Sequence, residues 1–292
     1  MPELPEVETT VNGLLKKVLK RTFLDIWTDS PKLIKKISFS DFKKKIIKRK
    51  IIKIQRRAKN ILFFLDQEYI LLIHLKMTGH LLTGKWKLEN KKWTSEEKGS
   101  LLTDPMNRFL HVIFFLDNDT QIALSDLRKF AKIELWNKKD FLNSKEYLTI
   151  GPEPLDPNFT FKKFQDLFYK KNGNIKRVLM DQSFIAGIGN IYASEILFIA
   201  KIHPETRIEN LTQNDLKKIY QAIKKVLKIG IRQGGSSISD YRNIFGEKGN
   251  YQKKYKVYGR NGKKCLVCRE TISKITIGAR STFFCPKCQT KK

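Results

Sequence analysis

The spacing of apolar residues changes character once along this chain, and that change fixes how it can fold. Up to about residue 150 the apolar runs are short and strand-like, at residues 23–27, 47–55, 61–65, 69–75, 111–116, 121–124 and 132–136. From residue 161 to 233 the period is helical. Phe161, Phe164, Leu167 and Phe168 form one stripe, and Leu216, Ile219, Ile223, Val226 and Leu227 another. Between these regions lies Gly151-Pro152-Glu153-Pro154-Leu155-Asp156-Pro157, which can continue neither a helix nor a central strand and reads as a linker. The expected class is therefore α+β with two domains: a β-sandwich or barrel over 1–150, a linker over 151–157, a helical domain over 158–245 and a cysteine-containing module over 246–292.

Residues 5–20 place Val7, Val11, Leu14, Leu15 and Val18 at helical spacing behind Pro5, with Glu6 and Glu8 suiting the positive end of a helix. An N-terminal amphipathic helix follows. Residues 84–107 are polar and turn-rich and read as an exposed loop, to which no chemistry is assigned. No repeat of solenoid period is present.

Lys and Arg number 58 against 29 Asp and Glu, a surplus of 29 positive charges. Such a surplus favours a polyanionic partner, although a lysine-rich proteome would produce the same count. Glu3, Glu6, Glu8 and Asp25 interrupt the first 30 residues, so no secretory or transit signal fits and a cytoplasmic location is expected. No apolar run approaches the roughly 20 residues that cross a bilayer.

All four cysteines lie near the C-terminus, as Cys265-x-x-Cys268 and Cys285-x-x-Cys288 with sixteen residues between the pairs. Four thiolates in two knuckles close the coordination of one tetrahedral Zn²⁺, so the expected metal is structural. Residues 271–284 alternate like the hairpin of a zinc ribbon. Arg280 lies near its tip or on its return strand, either as a phosphate contact or as a solvated charge.

Two further features carry chemistry. The chain opens Met1-Pro2-Glu3, and initiator methionine is normally removed before a small residue, which would expose Pro2 as a secondary amine. An α-amino group titrates near pH ~8, well below lysine at ~10.4, so a useful fraction is nucleophilic at neutral pH. Glu3 stands next to it as a proton carrier. The bland alternative is a frayed terminus with a helix-start charge. The other feature is Ala186-Gly187-Ile188-Gly189-Asn190, a turn before the helix expected over 191–200. Its backbone N–H groups suit a phosphate, with Asn190 capping the helix and touching the same phosphate; a plain helix–helix turn is the alternative.

Taken together, the opening PELPEVET, the linker GPEPL, the segment IKRVLMDQSFIAGIGNIYASEILF, the stretch GGSSISDY and the ending GARSTFFCPKCQ resemble, in order, the motifs of the formamidopyrimidine-DNA glycosylase family. The likeness covers nearly the whole chain, and the PELPE opening resembles that branch more than its sister, the endonuclease VIII enzymes, which typically open PEGPE.

The resemblance implies a β-sandwich, a helix-two-turns-helix domain and a zinc-ribbon finger, with damaged double-stranded DNA bound in a cleft. It implies a monomeric base-excision-repair enzyme that removes 8-oxoguanine and formamidopyrimidines and then cuts the strand. Pro2 would be the nucleophile, Glu3 the general acid/base and Glu6 a second motif carboxylate, with Lys59 and Arg280 completing the catalytic set. Met77, Arg128 and Phe130 would refill the stack after a base is flipped. By themselves Met77 and Phe130 also read as ordinary core residues. Lys176, Asn190 and Arg280 match phosphate contacts, His74 joins them, and residues 237–241 resemble the mobile loop that covers the extruded base.

Two motifs depart from the family: DPRRFG reads DLRKFA here, and RRGKY reads RRAKN. Neither departure removes a residue given a catalytic role. Three rival readings stand beside the main one: a non-catalytic nucleic-acid-binding protein of the same architecture, an endonuclease VIII-like enzyme for oxidised pyrimidines, and a generic zinc-ribbon protein.

Overall fold

A computed structural model describes residues 1–169, 171–238 and 240–291. In chain order the elements are α1 (Leu4–Lys17), β1 (Phe23–Thr28), α2 (Phe39–Ile46), β2 (Ile51–Arg57), β3 (Asn60–Leu65), β4 (Tyr69–His74), β5 (His80–Gly84), β6 (Trp86–Glu89), β7 (Lys92–Ser95), α3 (Ser100–Thr103), β8 (Leu110–Leu116), β9 (Gln121–Ser125) and β10 (Lys132–Asn137). Short helices α4 (Lys138–Leu142) and α5 (Lys145–Leu148) follow. Then come α6 (Phe161–Asp166), α7 (Ile175–Met180), α8 (Asn190–Ala200), α9 (Gln213–Arg232) and the hairpin β11 (Ser273–Ile277) and β12 (Arg280–Phe284).

The chain divides into two compact units: residues 1–148 with 233–250, and residues 149–232 with 251–291. In the first, two four-stranded antiparallel sheets run β1-β8-β9-β5 and β10-β4-β3-β2. Their facing side chains make one core, in which Phe23, Val112, Phe114 and Leu124 meet Ile54, Phe63, Ile73 and Ile133. Val7, Val11 and Leu14 of α1 join that core, as their helical spacing requires. Strand β4 is apolar on both sides because Leu71 and Ile73 face the main core while Ile70 and Leu72 pack with Phe141 of α4.

Residues 84–107 are not the loop expected of them. They form the β6–β7 hairpin, α3 and a 3-10 turn, Pro105–Arg108. Trp86 and Leu101 bury against Ile113 and Ala123, with Trp27, Trp93 and Phe115 alongside, so the segment roofs the outer face of the β1-β8-β9-β5 sheet. The tryptophans were the available signal, and the surrounding charges masked it. The strand expected over 47–55 likewise begins later, at Ile51. Residues 39–46 form α2, capped by the Ser38 hydroxyl on the Asp41 N–H, and Phe42 and Ile46 bury in the core.

In the second unit α8 packs on α9, and Phe164, Phe168 and Phe184 make edge-on ring contacts with one another. The β11–β12 hairpin turns at Gly278 and Ala279, both with positive φ (53° and 59°), as a two-residue hairpin needs.

Candidate active site and nucleic-acid interface

At the N-terminus Pro2 is buried beneath an exposed Met1, and Glu3 is only 3% exposed. Helix α1 starts here because Glu3 and Glu6 form a reciprocal capping box: the Glu3 carboxylate accepts the Glu6 N–H, and Glu6 Oε2 accepts the Glu3 N–H at 2.8 Å. The other oxygen of Glu6 accepts the Ser236 N–H at 2.6 Å, and the Tyr241 hydroxyl donates to the Glu6 carbonyl at 3.0 Å. One carboxylate therefore joins the backbone beside Pro2 to a segment 230 residues away. Gly235 (φ 76°) lies so close that a Cβ would stand 2.8 Å from Glu6 Cγ. Of the loop expected over 237–241, Ser239 lies outside the described residues.

Lys59 sits in the two-residue turn between β2 and β3, where Arg57 pairs with Asn60 and Ala58 has φ 52°. Arg56 holds that turn to α1, donating from Nε to Glu8 at 2.6 Å and from Nη1 to the Ala58 carbonyl at 3.0 Å. His74 pairs with both Asn60 and Lys132, which brings it to the same end of the sheet as Lys59. Burial, helped by the charges of Lys76, Lys59 and Lys132, pushes the His74 pKa down to about 3. Its Nδ1 accepts the Lys76 N–H at 2.9 Å, so the neutral ring carries its proton on Nε2 as a fixed donor.

Met77 is half-buried in the turn after β4, while Arg128 and Phe130 are exposed. The Arg128 guanidinium lies 4.6 Å from the Phe130 ring centroid. A residue the sequence reading did not single out organises all three. Asp126, fully buried, accepts the Phe130 and Ala131 N–H groups at 2.8 Å each and the Thr78 hydroxyl, and Thr78 in turn accepts the Arg128 N–H at 3.1 Å. Asp126 thus ties the Arg128–Phe130 turn to the residue next to Met77. A buried acid before a turn is the usual way to satisfy several backbone donors, and that was the signal available in DLRKF.

In the second unit Lys176 is 1% exposed, and its ammonium donates to Asn190 Oδ1 at 2.7 Å and Thr282 Oγ1 at 2.8 Å. Asn190 Nδ2 donates to the Ser281 carbonyl at 2.9 Å. Asn190 is therefore not the helix cap anticipated for it. It is the first residue of α8, Gly189 occupies the cap position without a side-chain bond, and the Asn190 amide is committed to β12. Gln182 shapes the preceding turn by accepting the Gly187 N–H and donating to the Met180 and Ile188 carbonyls. Arg280 opens β12 and is exposed.

Cys265, Cys268, Cys285 and Cys288 place their sulfurs within 4.8 Å of one another, with 4.0 Å between Cys265 and Cys288 and 3.4 Å between Cys268 and Cys285. A tetrahedron of Zn–S bonds near 2.3 Å needs sulfurs about 3.8 Å apart, so the four fit one Zn²⁺ with no position left for water. Gln289 secures the second knuckle, accepting the Cys285 N–H and donating to the Ile202 carbonyl, both at 2.9 Å.

Family models match in the same order as these sites: the formamidopyrimidine-DNA glycosylase N-terminal domain over residues 1–133, its H2TH domain over 150–242, and the zinc finger found in FPG and IleRS over 262–291. The formamidopyrimidine-DNA glycosylase of Pelotomaculum thermopropionicum is 38% identical with both chains covered in full, and that of Bacillus cereus is 34% identical over the same span. The chain belongs to the formamidopyrimidine-DNA glycosylase family.

The Lactococcus lactis family member solved with abasic-site DNA superposes with a TM-score of 0.85 at 33% identity, covering 99% of this chain and all of that one. A MutM complex with DNA containing carbocyclic 8-oxo-G gives the same score and identity over the same coverage. This glycosylase has the expected sheets, H2TH domain and zinc finger, and its enzyme class is that of a DNA-repair glycosylase with one structural zinc. Among its described residues no helix is long and apolar enough to cross a membrane.

Proposed function

We propose that this glycosylase is bifunctional, excising 8-oxoguanine and formamidopyrimidines from duplex DNA and then cutting the strand at the abasic site. The observation that carries this reading is the buried Pro2-Glu3 pair at the head of α1, held in register by Glu6. Relatives solved with abasic-site and 8-oxo-G DNA supply the ligand class. With Met1 removed, the Pro2 nitrogen attacks C1′, the bond from C1′ to the base breaks with the electron pair leaving on the base, and the proton released by the attacking nitrogen neutralises the departing base. Glu3 protonates the ring oxygen as the sugar opens, giving an iminium between proline and C1′. That cation acidifies C2′–H. Loss of this proton expels the 3′ phosphate, and a second elimination expels the 5′ phosphate, leaving a one-nucleotide gap.

The other residues act on the DNA. Lys59 aims its ammonium at a phosphate or at the damaged base, the His74 Nε2–H and Arg280 suit phosphates, and Asn190, steered by Lys176, suits another. Met77, Arg128 and Phe130 fill the space of the flipped base, and the loop over residues 237–241 closes over that base. The protein works as a cytoplasmic, nucleoid-associated monomer. Borohydride reduction with abasic-site DNA tests the mechanism: the expected product is a covalent adduct mapping to Pro2, absent when the N-terminal nitrogen is acetylated and so no longer nucleophilic. An adduct on a lysine, or strand scission that survives acetylation of that nitrogen, overturns it. A panel of lesion duplexes separates purine from pyrimidine preference.

A further inference from the structure

Segment 233–250 meets the roof segment 84–107 through a part-buried ion pair that plays no part in the chemistry of excision or scission. Arg242, 3% exposed, donates from Nε and Nη2 to the two oxygens of Asp104 at 2.7 and 3.0 Å, the paired geometry that only a guanidinium offers. Burial alone would raise the Asp104 pKa, but Arg242 and the Met106 N–H outweigh it and hold the acid below its ordinary range. A second tie lies beside the first. The Asn107 amide donates to the Gly246 carbonyl at 3.1 Å and the Ser100 carbonyl at 2.6 Å, and His80 Nε2 meets Asn107 Oδ1 at 3.1 Å. Gly246 (φ 76°) is so close that a Cβ would stand 2.3 Å from the Asn107 nitrogen.

The pair reaches the candidate active site through an unbroken chain of hydrogen bonds. Arg242 Nη1 donates to the Tyr241 carbonyl at 2.8 Å, and the Ser237 hydroxyl donates to that same carbonyl at 2.6 Å. Ser237 Oγ accepts the Gly249 N–H at 2.9 Å. On the far side the Ser236 N–H and the Tyr241 hydroxyl are held by Glu6, whose other oxygen holds Glu3. The loop is thus closed across its base by Ser237 and Tyr241, pinned on one side to α1 and on the other to Asp104. Ser236, Ser237 and Tyr241 are buried, while Ile238 is 58% exposed.

We propose that Asp104 is a positioning residue for base excision, acting through Arg242 to fix the loop that closes over the flipped base. This rests on the function proposed above. A base needs covering only while it is still attached to the sugar, so the clamp serves excision and not cleavage of a site that has already lost its base.

The test uses the zinc-loaded protein and two duplexes, one with 8-oxoguanine and one with a preformed abasic site. Asp104→Asn keeps the volume and removes the charge. It is expected to slow single-turnover excision about 10-fold or more, the scale of a small misplacement near the chemistry, while abasic-site cleavage stays within about two-fold. Hydrogen exchange in peptides covering 233–250 is expected to quicken, with strands β3 and β4 unchanged. If Asp104→Asn does not fold, Arg242→Lys carries the same test, because it keeps the charge but loses the fork. Equal loss of both activities, or loss of neither, overturns the proposal. An unmodified protein lacking both activities removes the underlying function and the proposal with it.

Discussion

His74 shows how much of the interface chemistry is set by a single side chain's surroundings. Its pKa is about 3 when folded and near its ordinary value of 6.5 when unfolded. Below pH 6.5 the unfolded chain therefore takes up a proton that the folded chain refuses until about pH 3. Stability from this group is complete above pH 6.5 and is lost on acidification through that window. Urea unfolding at pH 7 and pH 5 should show His74→Gln losing less stability on acidification than the parent; an equal loss would refute the assignment. Over the neutral range the ring stays an uncharged Nε2–H donor, so it adds no titration step to DNA binding. The four cysteines were legible in the sequence because their spacing alone dictates a metal site, and Pro2 and Glu3 were legible as the head of an N-terminal helix. Asp126 and Gln182 were not, because their work is to satisfy backbone donors and acceptors, and that appears only once the turns exist.

Among the elements, strong periodicity was readable and composition misled. Helix α1, strands β3 and β4 and the zinc-ribbon hairpin lie where their patterns put them, since each has an apolar stripe or alternation tied to one core. The roof segment did not look like structure because its lysines and glutamates outnumber its buried residues. Three aromatic or aliphatic side chains nevertheless carry it, and Trp86 is the most buried of them. Trp86→Ala should cost about 3–5 kcal/mol, as for other large buried aromatic truncations, readable as a lower denaturant midpoint at unchanged slope. A cost under about 1 kcal/mol would mean that the segment is an ornament on the sheet. Helix α2 was missed for the related reason that four of its eight residues are Asp or Lys, which hides the stripe of Phe42 and Ile46.

At the scale of the whole molecule, the charge surplus pointed to a polyanion and the cysteine spacing to zinc, but neither said how the chain divides. Metal supplies the stability that a module this small cannot draw from Val257, Ile272 and Phe198 alone. A strong chelator should therefore unfold residues 262–291 and abolish DNA binding while leaving the two four-stranded sheets intact by far-ultraviolet circular dichroism. Retained binding would place the interface elsewhere. Segment 233–250 belongs with residues 1–148, although the whole of 149–232 is made between them. Glu6 consequently waits through most of synthesis for the Ser236 N–H it holds. A ribosome that stalls short of residue 233 leaves Pro2 and Glu3 without the distant backbone that Glu6 ties to them, so under the function proposed above base excision becomes possible only as translation nears its end.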